Sequence, residues 1–101
     1  MKIWNMRSSR SGREVANQFI ITDEGRGALG NFTTREVFQS YTTTIVSITR
    51  WGDGTVKTLL DAKNWNCSRT TGKYRSQFLG EKTAETRRKI ASGEYELADL
   101  N

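Results

Sequence analysis

The sequence predicts an α+β fold: an antiparallel sheet of three to four strands, followed by two short helices and a C-terminal edge strand. Three observations predict this order. Residues that favour β-structure fill the first two-thirds of the chain, a Trp51-Gly52-Asp53-Gly54 turn separates two of these runs, and helix-capping residues cluster after Asp61. With 101 residues, the chain has room for one such domain and one hydrophobic core.

The first quarter of the chain divides into an arm and a strand. Residues 1–13 hold four cations and no acid among several serines, so we predict a flexible basic N-terminal arm. A single α+β domain is then expected over residues 14–101. Residues 17–22 favour a strand, and this strand should stop at residues 23–25, where Asp-Glu-Gly is a loop signal.

A hairpin is the strongest local signal in the chain. Residues 36–50 predict one long or bent strand, and a returning strand follows the turn. Asp53-Gly54 tolerates the positive φ values that a two-residue loop requires, and such a loop pairs Arg50 with Lys57. The alternative turn, Gly52-Asp53, shifts the register by one residue and separates the two cations.

The first predicted helix has clear start and stop signals. Ser68, or Asn66 before it, is a helix-capping residue, and Gly80 is placed to end the helix. Tyr74 and Phe78 are four residues apart and therefore share one face, which we expect to pack on the sheet.

The second predicted helix is shorter. Thr83 caps it and Gly93 ends it, while Arg87 and Arg88 lie near its C-terminal end, where cations are favoured. Residues 94–97 alternate polar and apolar side chains, which predicts the C-terminal edge strand.

The net charge of +5 is unevenly distributed along the chain. Residues 1–13 carry +4 and residues 69–89 carry +5, whereas residues 14–68 carry −1 and residues 94–101 carry −3. A basic arm and a basic helical region therefore flank a nearly neutral body, which suits phosphate groups or an acidic partner. The alternative is that these cations only solvate the surface.

The candidate contact residues follow from this charge pattern. Arg50 and Lys57, if they face each other across the hairpin, form a candidate phosphate clamp, unless their long side chains splay into water. Arg69 and Lys73 lie on the predicted outer side of the first helix, and Trp51 is the tryptophan expected at the surface. The predicted binding residues are Arg50, Trp51, Lys57, Arg69, Lys73, Arg75, Arg87 and Arg88.

The composition argues against most enzyme classes. There is no histidine and Cys67 is the single cysteine, which excludes Ser-His-Asp and Cys-His catalysis, an internal disulfide and nearly all zinc sites. Asp61-Ala62-Lys63 is similar to a nuclease element, but so short a motif recurs by chance. We therefore predict a protein that is not an enzyme and needs no cofactor or metal. We also expect Cys67 to be buried, and the lack of an apolar span or signal pattern indicates a cytoplasmic protein without membrane contact.

One region of the chain resembles a known family. The string from Trp65 through Ser68, Thr70-Thr71 and Lys73-Tyr74-Arg75 to Phe78-Leu79 is similar to a small domain of unknown function found in many bacteriophage genomes. The resemblance covers about residues 15–101. It implies a phage origin and a stable small fold, and it supplies no catalytic residues. The arm, residues 25–35 and the hairpin turn look like departures from the family.

Two functions fit these observations. The first is a phage-encoded, non-enzymatic inhibitor that acts in the cytoplasm of an infected host cell. It would bind a host or defence protein, such as a nuclease or an RNA-guided complex as in anti-CRISPR proteins, through its basic surface. The alternative is a nucleic-acid-binding module that contacts phosphates through the arm, the hairpin and the first helix. We rank the inhibitor first by a small margin.

Overall fold

The computed structural model describes residues 1–26 and 32–101. Strands fill its first two-thirds, and two helices then precede a last strand. None of the helices in these residues is long and apolar enough to cross a membrane. The elements are β1 (Lys2–Arg7), β2 (Glu14–Arg26), β3 (Phe32–Ser40), β4 (Thr43–Trp51), β5 (Val56–Asp61), α1 (Arg69–Leu79), α2 (Thr83–Ser92) and β6 (Tyr95–Ala98).

All six strands form one sheet in chain order, from β1 at one edge to β6 at the other. The first four pairings are antiparallel, as expected for strands that are close together in the chain, while β5 and β6 run parallel because both helices lie between them. The α+β class and the C-terminal edge strand are confirmed. The predicted three to four strands are too few, because the chain also forms β1 and divides residues 36–50 between two strands.

One additional strand lies inside the segment predicted to be a flexible arm. Lys2–Arg7 form β1, which pairs with β2 and inserts Met6 into the core. Residues 8–13 then make a tight turn, in which Ser8 donates its backbone N–H to the carbonyl of Arg13 and Gly12 has a φ of 71°. Cations on an edge strand point into solvent at little cost, which is why a basic segment takes this position.

The second additional strand arises because residues 36–50 do not form one strand. The chain reverses at Tyr41 and Thr42, so β3 and β4 form a hairpin. Tyr41 has a φ of 55°, an unusual value for an aromatic residue. The turn is held from outside, since Tyr41 donates its N–H to the carbonyl of Asn17 at 2.6 Å and its own carbonyl accepts from Gln39 at 2.7 Å. A turn fixed by such contacts has no Gly, Asn or Pro signal.

The β4–β5 hairpin has a three-residue loop instead of the predicted two. Trp51 donates its N–H to the carbonyl of Thr55 at 2.8 Å, so Gly52, Asp53 and Gly54 form the loop. The Asp53 carboxylate accepts the N–H of Thr55 at 2.9 Å, and this bond lowers its pKa. Lengthening the loop by one residue moves every pairing of the hairpin by one position.

The helices begin and end largely where the sequence predicts. Ser68 caps α1 by accepting the N–H of Thr71 at 3.1 Å, and Gly80 ends it with a φ of 70°. Gly93 ends α2 with a φ of 84°. The N-cap position of α2 is occupied by Lys82 and not by the predicted Thr83, and the Lys82 side chain makes no capping hydrogen bond. Thr83 is the first residue of the helix, and its hydroxyl accepts a hydrogen bond from Arg75.

Both helices lie on one face of the sheet, which we call the helix face. Phe38 of β3 stacks on Phe78 of α1 with ring centroids 5.9 Å apart, and Tyr95 of β6 contacts Lys89 of α2. The hydrophobic core fills this layer. The opposite face, which we call the open face, carries the alternate side chains of the same strands: Ile3, Phe19, Ile21, Asp23, Arg35, Val37, Lys57, Leu59 and Glu96.

Candidate functional site

The eight predicted binding residues do not form one surface. They lie on three elements: Arg50, Trp51 and Lys57 on the β4–β5 hairpin, Arg69, Lys73 and Arg75 on α1, and Arg87 and Arg88 on α2. The strand register separates Arg50 from Lys57, Arg75 is buried, and Arg50, Lys57 and Arg88 make ion pairs with carboxylates.

The proposed phosphate clamp at the hairpin is wrong in geometry. Arg50 pairs with Val56 and Lys57 pairs with Thr49, so the two cations point to opposite faces of the sheet. Arg50 also makes an ion pair with Glu36 on the helix face. Lys57 lies 3.7 Å from the carboxylate of Glu96 on the open face. Neighbouring carboxylates therefore neutralise both cations.

Arg75 is buried, although the sequence places it beside an outward stripe. Its guanidinium donates to the Trp65 carbonyl at 2.6 Å, to Asn66 Oδ1 at 3.1 Å and to Thr83 Oγ1 at 2.6 Å. All of these acceptors are neutral, and Nε has no partner. Arg75 therefore ties the loop before α1 to the start of α2, and no ligand reaches it.

Trp65 shapes the surroundings of this buried cation. The guanidinium carbons of Arg75 and Arg87 lie 5.1 Å and 5.2 Å from the centre of the Trp65 ring, within the range of cation–π attraction. Burial lowers the pKa of Arg75, and the charge of Arg87 lowers it further. Arg87 is itself exposed, so the ring contacts both a structural cation and a surface cation.

A second polar cluster joins α2 to β6. The Glu81 carboxylate accepts from Tyr95 Oη at 2.5 Å, from Lys89 Nζ at 3.0 Å and from Thr86 Oγ1 at 2.8 Å. Burial works to raise the pKa of Glu81, but the accepted hydrogen bonds lower it overall. Burial and the Glu81 carboxylate raise the pKa of Tyr95 to about 12. This cluster is structural, as is the surface ion pair between Arg88 and Glu85.

The remaining α1 cations lie on a helix that is hydrogen-bonded to the end of β1. Gln77 Nε2 donates to the backbone carbonyl of Arg7 at 2.6 Å, which joins α1 to the residue before the β1–β2 turn. Lys73 is one helical turn before Gln77, and Arg69 is one turn before Lys73. We call the exposed cations of these two joined segments the basic ridge: Arg7, Arg10, Arg13, Arg69 and Lys73.

The charge of the basic ridge is not neutralised within the described residues. All five side chains belong to exposed residues, and none makes an ion pair with a carboxylate of residues 1–26 or 32–101. Glu14 is the acid nearest in the strand register, opposite Arg7, and it makes no such pair either. The helical part extends about 6 Å along its axis from Arg69 to Lys73. This length matches about two phosphates of one nucleic-acid strand.

The tryptophans are more exposed than the sequence suggests. Trp51 is 36% exposed and lines a shallow depression of the open face together with Arg35 and Thr49. Trp4 is 45% exposed on the other side of the sheet. Only Trp65 packs against the core. Cys67 is exposed as well, which corrects the expectation of a buried thiol.

Asp61 has a structural role instead of the metal-binding role that a nuclease would need. Its buried carboxylate accepts from the backbone N–H groups of Asn64 and Leu100, at 3.0 Å and 2.9 Å, which anchors the chain end beneath β5. These and other hydrogen bonds lower its pKa against the effect of burial. Among residues 1–26 and 32–101, no cluster of three Cys, Asp or Glu side chains is arranged to hold a metal ion.

Sequence reasoning found the two halves of the basic ridge separately and missed that they meet. The signal for each half is its excess of cations. The contact that joins them is the Gln77 bond to Arg7, which spans 70 positions of the chain and leaves no local pattern. The Glu81, Lys89 and Tyr95 cluster was missed for the same reason.

Comparison with known proteins identifies a family without an assigned activity. No curated protein and no solved structure matches the chain. A model for a family of unknown function, DUF8033, matches residues 1–93. The match includes the first strand, residues 25–35 and the hairpin turn, which the sequence analysis predicts to differ from the family it resembles. With more than nine-tenths of its length matched, the chain belongs to this family of unknown function.

Proposed function

We propose that this protein is a non-enzymatic nucleic-acid-binding protein whose basic ridge contacts the phosphate backbone. The observation that carries the proposal is the Gln77 bond, which joins α1 to the residue before the cationic turn, together with the lack of any ion pair between the five ridge cations and a carboxylate of the described residues. Phosphate binding releases condensed counterions, so clustered, unpaired cations bind it far better than cations already held by carboxylates. Base specificity is not part of the proposal.

The hairpin contributes little to this binding. Arg50 and Lys57 each have a carboxylate partner, so a phosphate would have to displace Glu36 or Glu96. Arg88 is held in the same way by Glu85. These paired cations provide a matched control, because their removal changes the net charge without changing the ridge.

The test compares two triple variants of equal net charge. Binding of a fluorescent duplex and of its single strand is measured by anisotropy over a salt series. The ridge variant is Arg10→Gln, Arg69→Gln and Lys73→Gln. The control variant is Arg50→Gln, Lys57→Gln and Arg88→Gln.

The two variants have different expected outcomes. The ridge variant should bind more weakly, and its slope of log affinity against log salt should fall by about 0.9 for each lost phosphate contact. The control should stay close to the wild-type slope. Equal losses in both variants would mean that only net charge matters, and no binding by the wild-type protein would reject the proposal. Unfolding curves check that both variants fold.

A second candidate function is the phage-encoded inhibitor of a host or defence protein, active in the cytoplasm of an infected cell. The observation that favours it is the open face. The helices leave this face uncovered, the exposed charged side chains of its described strands include two acids and two bases (Asp23, Glu96, Arg35 and Lys57), and Trp51 stands exposed at one end. A neutral surface with an exposed aromatic residue suits a protein better than a polyanion.

Pull-down from nuclease-treated lysate of infected cells tests the inhibitor. Under this proposal, a stoichiometric host protein is recovered by the wild-type chain and lost with Trp51→Ala. Val56→Ala is the control, since Val56 is exposed on the helix face of the same hairpin. Recovery that is insensitive to Trp51→Ala, or no recovery at all, would count against the open face as the inhibitory surface.

A further inference from the structure

The two outer edges of the sheet differ in their protection. β6 has four residues, and the chain after it is tied back, with Leu100 bonded to Asp61 and Asn101 to Thr44. β1 has six residues, and no strand of the described chain pairs with its outer side. Proteins normally shorten, cover, distort or charge such edges to prevent pairing with another chain. β1 has such devices near its ends, where it carries Lys2, Arg7 and an irregularity between Asn5 and Arg7, and its middle residues have none.

The side chains of β1 are suited to an added strand. Ile3 is 56% exposed on the open face and Trp4 is 45% exposed on the helix face. A strand that pairs with β1 would place its own side chains about 5 Å from both, one on each face. Apolar contact would then accompany the backbone hydrogen bonds.

The charges of β1 indicate what kind of strand fits. Lys2 and Arg7 lie near its two ends, and neither makes an ion pair with a described carboxylate. The nearby Asp23 carboxylate is 3.9 Å from the N-terminal amine instead. A second copy of β1 paired along this edge would add the same two cations and no carboxylate to pair with them. An acidic strand supplies carboxylates to both Lys2 and Arg7.

We propose that the outer edge of β1 binds an extended, acidic segment of a partner protein by β-augmentation. The backbone of Lys2–Arg7 pairs with the segment, Ile3 and Trp4 contact its apolar side chains, and Lys2 and Arg7 select its carboxylates. This surface is separate from the phosphate-binding proposal, except that Arg7 belongs to both.

The probe is a short synthetic peptide that alternates Glu and Val, labelled for anisotropy. Two control peptides replace Glu with Lys, or replace the central Val with Pro to prevent strand pairing. The Glu/Val peptide should bind at least tenfold more tightly than either control. In NMR spectra, its binding should shift the amide signals of Lys2–Arg7 before those of other strands.

Single substitutions separate this edge from the basic ridge. Lys2→Gln should weaken peptide binding by about threefold to fivefold and leave DNA binding unchanged, because Lys2 is outside the ridge. Arg10→Gln should weaken DNA binding and leave peptide binding unchanged. Trp4→Ala should cost about tenfold for the peptide, through lost apolar contact.

Several results would overturn the proposal. These are equal binding of all three peptides, amide shifts centred away from β1, and an unchanged peptide affinity in both Lys2→Gln and Trp4→Ala. Concentration-dependent dimers in sedimentation, with amide shifts of Lys2–Arg7 on dimerisation, would show that a second copy occupies the edge instead. None of these outcomes depends on whether the protein binds DNA.

Discussion

Lys73 and Arg75 are two residues apart on α1, but they belong to two regions of the molecule. Lys73 lies in the solvent-exposed basic ridge, and Arg75 lies in the layer between the helices and the sheet. In the basic ridge, Lys73 and its neighbours stand in solvent with no described carboxylate beside them. In the layer between helices and sheet, Arg75 is enclosed by three neutral oxygen acceptors and Lys89 by the carboxylate of Glu81. The buried cations hold the fold together, and the exposed ones remain available to a ligand.

The largest test of this difference is the loss of Arg75. Arg75→Ala leaves the Trp65 carbonyl, Asn66 Oδ1 and Thr83 Oγ1 without their donor and opens a cavity, so we expect a loss of about 3 kcal/mol in the free energy of unfolding. Lys73→Ala should change it by less than about 0.5 kcal/mol. Urea unfolding of both variants measures the contrast, and equal losses would contradict it.

The second test uses alkaline pH. The folded-state pKa of Tyr95 is raised from 10.0 to about 12, so the neutral phenol is favoured in the fold. The contribution of this tyrosine to the free energy of unfolding is therefore complete below pH 10 and is lost as the pH rises toward 12. The expected loss over that interval is about 2 kcal/mol.

Tyr95→Phe isolates this effect. The variant retains the ion pair between Lys89 and Glu81, so its stability should decline less steeply between pH 10 and 12 than that of the wild type. The raised pKa of Lys89 contributes to the decline in both proteins. Parallel stability curves in this range would show that the hydrogen bond from Tyr95 to Glu81 does not favour the fold.

The smallest expected effect is at Gly72, which lies between the two regions of α1. A Cβ there would lie 3.5 Å from Asn66 Oδ1 and 3.7 Å from an Arg75 nitrogen, which are ordinary contact distances. Gly72→Ala should therefore stabilise the protein by about 0.5–1 kcal/mol through helix propensity. Thermal unfolding measures the change. Destabilisation would instead mean that the Arg75 guanidinium needs the space that glycine leaves.

The features that the sequence predicted are those fixed by neighbouring residues. Ser68, Gly80 and Gly93 set helix ends through their own side chain or φ, and the structure has them in these roles. The reversal at Tyr41 depends on the carbonyl of Asn17, a residue of another strand, so the two strands around it were read as one.

The candidate site follows the same division. The excess of cations in residues 1–13 and 69–89 was visible from composition, and Arg69 and Lys73 are exposed as expected. The burial of Arg75 could not be predicted from composition or spacing. Helical spacing places Arg75 at the flank of α1, and this flank is buried because the loop around Trp65 covers it. At the hairpin, one extra loop residue puts Val56 instead of Lys57 opposite Arg50, so Lys57 lies on the other face.

The bond from Gln77 to Arg7 also has a consequence for synthesis of the chain. The cations of the first strand and its turn leave the ribosome first, but the helix that completes the surface follows about three-quarters of the way along. A truncated product that stops before Gln77 therefore carries the N-terminal cations without the contact that assembles them. Under the proposed function, the phosphate-binding surface is therefore assembled only after α1 has been synthesised.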